Sequence, residues 1–114
     1  MDLSTRDLDN IRIVTVNEPR IDAAIAIQFK DEMRALVHGG PARVVLDLSH
    51  VGFIDSSGLG AVVAAMKQSG TAQNFELAGL TRSVKKVFAL TRMDRVFTIH
   101  SDVTVITGGL ADAG

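Results

Sequence analysis

The run Val44-Val45-Leu46-Asp47-Leu48 narrows the choice of fold more than any other part of the chain. Its side chains are branched and apolar almost without a break. A strand with one wet face alternates polar and apolar residues, whereas a continuous run reads as a strand buried on both faces. Such strands occur inside parallel sheets covered by helices, and the flanking sequence agrees. Strand-like and helix-like segments alternate along the chain without repeats, low complexity or a linker, which predicts a small α/β domain. The expected architecture is a mixed sheet of about four or five strands against three or four helices.

Ahead of the central run, Asn10 to Val16 carries the alternation of a half-buried strand, and Leu3 to Leu8 pairs with it as a hairpin across Asp9-Asn10. Pro19 stops that strand. Asp22 then reads as the N-cap of a helix reaching about Val37, with Ile25, Phe29, Met33 and Leu36 on one face. Gly39-Gly40-Pro41 ends it. After the central run, a second helix is expected from near Ser57 to near Gly70, with Leu59, Val62, Val63 and Met66 as its apolar stripe. Phe75 to Leu80 is a strand. Ser83 to about Thr91 is a third helix with Val84, Val87 and Phe88 inward, and Val96 to Ile99 is a short edge strand. Asp102 to Leu110 is open between a terminal helix and irregular chain, because β-branched residues fill Val103 to Thr107 and Gly108-Gly109 interrupts.

At 114 residues the chain has the length of one domain, taken as 1–114 with a core of about 8–100, and its 46% apolar content suffices for a core. It contains no cysteine, so disulfides, thiolate catalysis and cysteine metal sites drop out together. No apolar run approaches a membrane span of about 18 residues. The polar start, Met1 to Asp7, resembles neither signal nor transit peptide, and a cytoplasmic location is expected. The 12 basic and 13 acidic residues nearly balance, and there is no Trp or Tyr. A nucleic-acid role therefore has little support. Arg82 to Arg92, the densest basic stretch, reads as a solvated helix face.

In parallel sheets, functional loops lie beyond the carboxyl ends of the strands. Here that loop is Ser49-His50-Val51-Gly52-Phe53-Ile54, leading to Asp55-Ser56-Ser57-Gly58-Leu59-Gly60 at a helix start. Asp and Ser are good caps, so part of this polarity has a purely structural explanation. A hydrolase elbow centred on Ser56 needs glycine where Ile54 stands, and the only histidine that follows is His100, in an apolar strand-like run. A dinucleotide fingerprint fails because Gly58-Leu59-Gly60 is followed by Ala61-Val62-Val63. His38, His50 and His100 sit on separate elements without ligand spacing, so no metal site is expected. No cofactor is expected either.

The hexapeptide Asp55 to Gly60, after a hydrophobic strand and a short loop, resembles the signature of STAS domains, specifically the bacterial anti-sigma-factor antagonists. Arg20-Ile21-Asp22-Ala23-Ala24 resembles that family's entry to its first helix. Leu80 through Phe88, with Ser83-Val84-Lys85-Lys86-Val87-Phe88, resembles its third-helix entry, and Met93-Asp94-Arg95-Val96-Phe97 resembles the segment after it. Glu18-Pro19 and Thr71-Ala72-Gln73-Asn74 depart from the pattern at loops where glycine is usual.

The resemblance implies a partner-switching regulator and not an enzyme. It implies that Ser56 accepts phosphate from an ATP-dependent serine kinase that is also the anti-sigma factor. A metal-dependent serine phosphatase would remove the phosphate. The unphosphorylated form would bind the kinase and free the sigma factor. Asp22, Asp55, Ser57, Gly58 and Leu59 would belong to the partner-binding surface. The alternative within the same fold is a STAS module of a transporter or another signalling assembly, without phospho-switching.

Overall fold

The computed structural model describes residues 1–108. Its framework is a five-stranded sheet formed by β1 (Leu3–Leu8), β2 (Ile11–Val16), β4 (Arg43–Asp47), β6 (Asn74–Ala78) and β7 (Thr98–His100), side by side in that order. β1 runs antiparallel to β2, and the other neighbouring pairs are parallel. Asp9, with φ of 53°, makes the tight turn of the β1–β2 hairpin, as the sequence predicts.

From β2 onward the chain moves across the sheet in one direction only. Because crossovers between parallel strands are right-handed, every connecting helix falls on the same face. These helices are α1 (Ala26–Val37), α2 (Ser56–Lys67) and α3 (Arg82–Leu90). Beneath them Val14, Val16, Phe29, Met33, Val44, Leu46, Val62, Leu77 and Phe88 form the main core. The opposite face holds a smaller cluster, Ile13, Val45 and Ala78, against which Val103 and Ile106 of the short α4 (Val103–Thr107) pack. Val44, Val45 and Leu46 are all fully buried, so the central strand is covered on both faces as its composition predicts.

Three expectations need adjusting. The first helix starts at Ala26, with Ile25 in the cap position and no side-chain cap. Asp22 instead shapes the preceding turn: its Oδ1 accepts from Ala24 N at 3.0 Å and its carbonyl accepts from Ile25 N and Ala26 N. The edge strand falls at Thr98–His100, two residues later than expected at its start, because a 3-10 turn over Met93–Arg95 occupies the approach. The terminal segment is helical from Val103 to Thr107, capped by the Asp102 carboxylate. Gly109 and Leu110 lie outside the described residues. The atypical turn before β6 is held by one side chain, Gln73, whose amide donates to the carbonyls of Val37 and Pro41 at 2.8 and 2.9 Å.

On the α4 side of the sheet, buried Glu76 bridges three strands. It takes a bidentate pair from Arg43 (2.8 and 2.7 Å), and His100 Nε2 lies 2.6 Å from its Oε1. The bond from Arg43 holds the Glu76 carboxyl below its ordinary range; burial opposes this and the contact with His100 reinforces it. A carboxyl whose folded pKa is depressed adds stability above its unfolded value and loses it as the pH falls through the folded value. Acidification below about pH 4.5 should therefore lower the melting temperature of the wild type more steeply than that of Glu76→Gln. Thermal unfolding by circular dichroism at stepped pH checks this; parallel curves would refute it.

Candidate functional site

Two short strands set the site. β3 (Arg20–Ile21) pairs in parallel with β5 (Phe53–Ile54), at the point where the chain has left β4 and is about to enter α2. Gly52 N donates to Pro19 O at 2.8 Å, and Asp55 N reaches Ile21 O at 3.4 Å. Thr81, just ahead of α3, donates from Oγ1 to the Val51 carbonyl at 2.7 Å. Segments from three regions of the chain thus position the residues that precede the second helix.

Asp55 is the N-cap of α2, in extended conformation, and its Oδ1 accepts from Gly58 N at 2.8 Å. Its other oxygen, Oδ2, accepts from Ala23 N at 3.1 Å in the turn that leads to α1. One carboxylate therefore satisfies amides at the entries to two helices. Of the capping-type residues at this junction, Asp55 caps the helix, and Ser56 and Ser57 are its first two residues. Both serines are exposed, and neither hydroxyl makes a hydrogen bond among the described residues. Their backbone amides, at the first two helical positions, have no intrahelical acceptor.

Gly58 is expected on the partner-binding surface. It is buried, and a Cβ built on it would stand 1.9 Å from the carbonyl oxygen of Ile21. Its role is to let β3 lie against the first turn of α2. Leu59 is half-buried and packs on the core, and Asp22 is half-buried beneath the turn it shapes. Of the residues singled out from sequence, the structure brings Asp22, Asp55, Ser56, Ser57 and Gly58 to one corner. Among these, Ser56 and Ser57 present side chains to solvent.

The same corner has features that the sequence reading passed over. Phe53 is 49% exposed, with the Arg20 guanidinium 5.8 Å from its ring centroid. Ile27 is 72% exposed and, with Lys30, Ser57, Gly60 and Ala64, lines a shallow groove of about 290 Å³ between α1 and α2. One signal was available: Ile27 falls off the Ile25–Phe29–Met33–Leu36 stripe, so a helix burying that stripe must expose it. The three histidines remain on separate elements, and no group of three potential metal ligands occurs among the described residues. With both Asp55 oxygens engaged by amides, no base is poised on Ser56.

These features define a class: a small α/β domain, its three connecting helices on one sheet face, displaying an unengaged hydroxyl at a capped helix entry. A family profile described as the STAS domain matches residues 2–105, and the chain belongs to the STAS domain family. It is 24% identical over 114 residues to the anti-sigma-F factor antagonist RsfB of Mycobacterium tuberculosis, covering 96% of this chain and 93% of that protein. It is 34% identical over 80 residues to BtrV of Bordetella bronchiseptica, provisionally named an anti-sigma factor antagonist, covering 69% of each. The crystal structure of an anti-sigma factor antagonist from Mycobacterium paratuberculosis superposes with a TM-score of 0.84 at 24% identity, covering 96% of this chain and 93% of that one.

Two glycines one turn-fragment apart should respond oppositely to alanine. Gly58→Ala must push β3 off the helix and should cost about 3 kcal/mol. Gly60→Ala meets nothing within 4 Å and should stabilise the helix by about 0.5–1 kcal/mol. Urea unfolding of the two variants beside wild type measures both, and equal effects would contradict the geometry.

Proposed function

We propose that the chain is an anti-sigma-factor antagonist working by partner switching. In its unphosphorylated form it occupies an ATP-dependent serine kinase that is also the anti-sigma factor, so that the sigma factor is free. Phosphorylation of Ser56 releases the kinase, and a metal-dependent serine phosphatase restores the starting state. Because the donor is ATP, the exchange belongs to the cytoplasm. The chain is substrate and ligand in this cycle, not catalyst.

The observation that carries this reading is the exposed, unengaged Ser56 hydroxyl at the first position of α2, beside exposed apolar side chains. Phe53 and Ile27 offer apolar contact of the kind that anchors interfaces. Ser57 lines the α1–α2 groove, and Asp55 and Asp22 hold the entry turns in place. The named relatives RsfB and BtrV support the antagonist role.

Phosphate adds about −1.5 to −2 charges and three acceptor oxygens. At the first helical position it would meet free amides and the positive end of the helix dipole, which accommodate an anion. The fold should survive modification even though Asp55 stands next to it. A partner packed over that corner would instead have to desolvate the new charge. A mismatch of about 2.7 kcal/mol, within the usual range for unfavourable charge placement, weakens binding a hundredfold.

Incubation with the cognate kinase and ATP should add one phosphate of about 80 Da to wild type and to Ser57→Ala, and none to Ser56→Ala, by intact mass. In the same system Ser56→Ala should hold the kinase constitutively, and Ser56→Asp should bind at least about tenfold more weakly. If both Ser56 variants bind the kinase as wild type does, the switch is refuted. If no mass is gained by an active kinase, the chain is a STAS module of the non-switching kind.

A further inference from the structure

A second surface lies along α3, where no proposed switch residue sits. Five of the chain's 12 basic residues, Arg82, Lys85, Lys86, Arg92 and Arg95, fall within residues 82–95, against one of its 13 acidic residues, Asp94. All five are exposed, and none makes an ion pair among the described residues. Their placement opposes the helix that carries most of them. Lys85 and Lys86 follow Arg82 in the first half of α3, no acidic residue stands in its first turn, and its last turn has no basic one. Cations near a helix N-terminus work against the macrodipole by about 0.3–1 kcal/mol each. Fold stability therefore does not account for the cluster.

Between α3 and β7, outside the carboxyl ends of β6 and β7, runs a cleft of about 470 Å³. Leu80, Phe88, Ala89 and Ile99 provide its apolar walls, and Lys85 and Asp94, one cation and one anion, also line it. A shallower depression on the outer side of α3 shares Leu80, Lys85 and Ala89 with it and adds Arg82 and Lys86. Leu90 is 75% exposed and Val96 is 49% exposed at the far end of the helix. The cleft and the outer depression thus share Leu80, Lys85 and Ala89, which sets the cations of α3 beside apolar walls.

We propose that this surface docks an acidic segment of a partner protein, whose apolar side chains enter the cleft while its carboxylates face Arg82, Lys85 and Lys86. Charge complementarity selects the partner: the cluster is basic on a chain whose net charge is −1. The cleft argues for a peptide over an anionic bilayer, because lipid surfaces take up protruding apolar faces, whereas concave apolar walls receive inserted side chains. The segment docks independently of the Ser56 corner, so the surface can hold a partner through both states of the proposed switch.

The test uses the full chain, isotope-labelled, titrated with a short synthetic peptide rich in Asp and Glu with Leu and Phe at i, i+4 spacing. Amide shifts should gather at residues 80–90 and 99–101, with a Kd on the order of 10 μM that weakens roughly tenfold as salt rises from about 0.05 to 0.5 M. The double variant Lys85→Glu/Lys86→Glu should weaken binding at least about tenfold, and Leu90→Ser about fivefold, each with an unchanged circular dichroism spectrum. Ser56→Asp should bind the peptide as wild type does, which separates this surface from the switch. Absent shifts, shifts at the α1–α2 groove, or equal binding of a Lys-rich peptide with the same apolar pattern would overturn the proposal. So would co-sedimentation with phosphatidylserine-containing vesicles in place of peptide binding.

Discussion

The carboxylate of Asp55 is the interaction on which the functional corner depends. It satisfies Gly58 N at the start of α2 and Ala23 N in the turn before α1, so one side chain joins the entries of two helices that follow different strands. That tie works only because Gly58 has no side chain. With the Ile21 carbonyl 1.9 Å from where a Cβ would stand, any other residue would separate β3 from α2 and pull Asp55 away from Ala23. Capping, a close backbone approach and the exposure of Ser56 are therefore a single arrangement. The hydroxyl stays free because Asp55 and Gly58 carry the structural load beside it.

The sheet's order governs the rest of the surface. A chain that steps from β2 to β4, β6 and β7 without reversing places α1, α2 and α3 on one side. It also gathers the loops at the carboxyl ends of the strands. The Ser56 corner and the α1–α2 groove lie on this helical layer, and so does α3 with its cations, its N-terminal end tied to the same loop by Thr81. The opposite face relies on a smaller cluster and on the Arg43–Glu76–His100 bridge, where polar side chains tie three strands that only a short helix covers. A buried carboxylate is costly unless fully partnered, and Glu76 has both an Arg fork and an imidazole.

Much of this was legible in the chain. Val44 to Leu48 announces an interior strand because its apolar residues do not alternate, and the Asp9-Asn10 hairpin follows from turn chemistry. Asp55 to Gly60 marks the site through its resemblance to the STAS signature, since its residues taken alone have a plain capping explanation. What was misread was misread for local reasons. Asp22 has the composition of a cap, but its side chain closes a turn and the helix begins four residues later. The predicted stripe of α2 does meet the core, with Val62 buried and Leu59, Val63 and Met66 packed against it, but the deepest positions also include Gly58, Ala61 and Ala65. Close packing against α1 and β3 selects small residues, and large apolar residues are what a periodicity reading weighs.

Taken alone, then, the chain determined the order and type of its elements, since periodicity, capping chemistry and glycine placement are local properties, while the candidate hydroxyl was marked by a family resemblance. Only the tertiary structure decided that Asp55 serves two helices and that Gly58 is buried under β3. It alone likewise brought Phe53 and Ile27 out beside Ser56, and set the cations of α3 along an apolar cleft. Each of these depends on which segments meet across the sheet, and contacts between residues 21 and 58, or 23 and 55, have no signature in any short window of sequence.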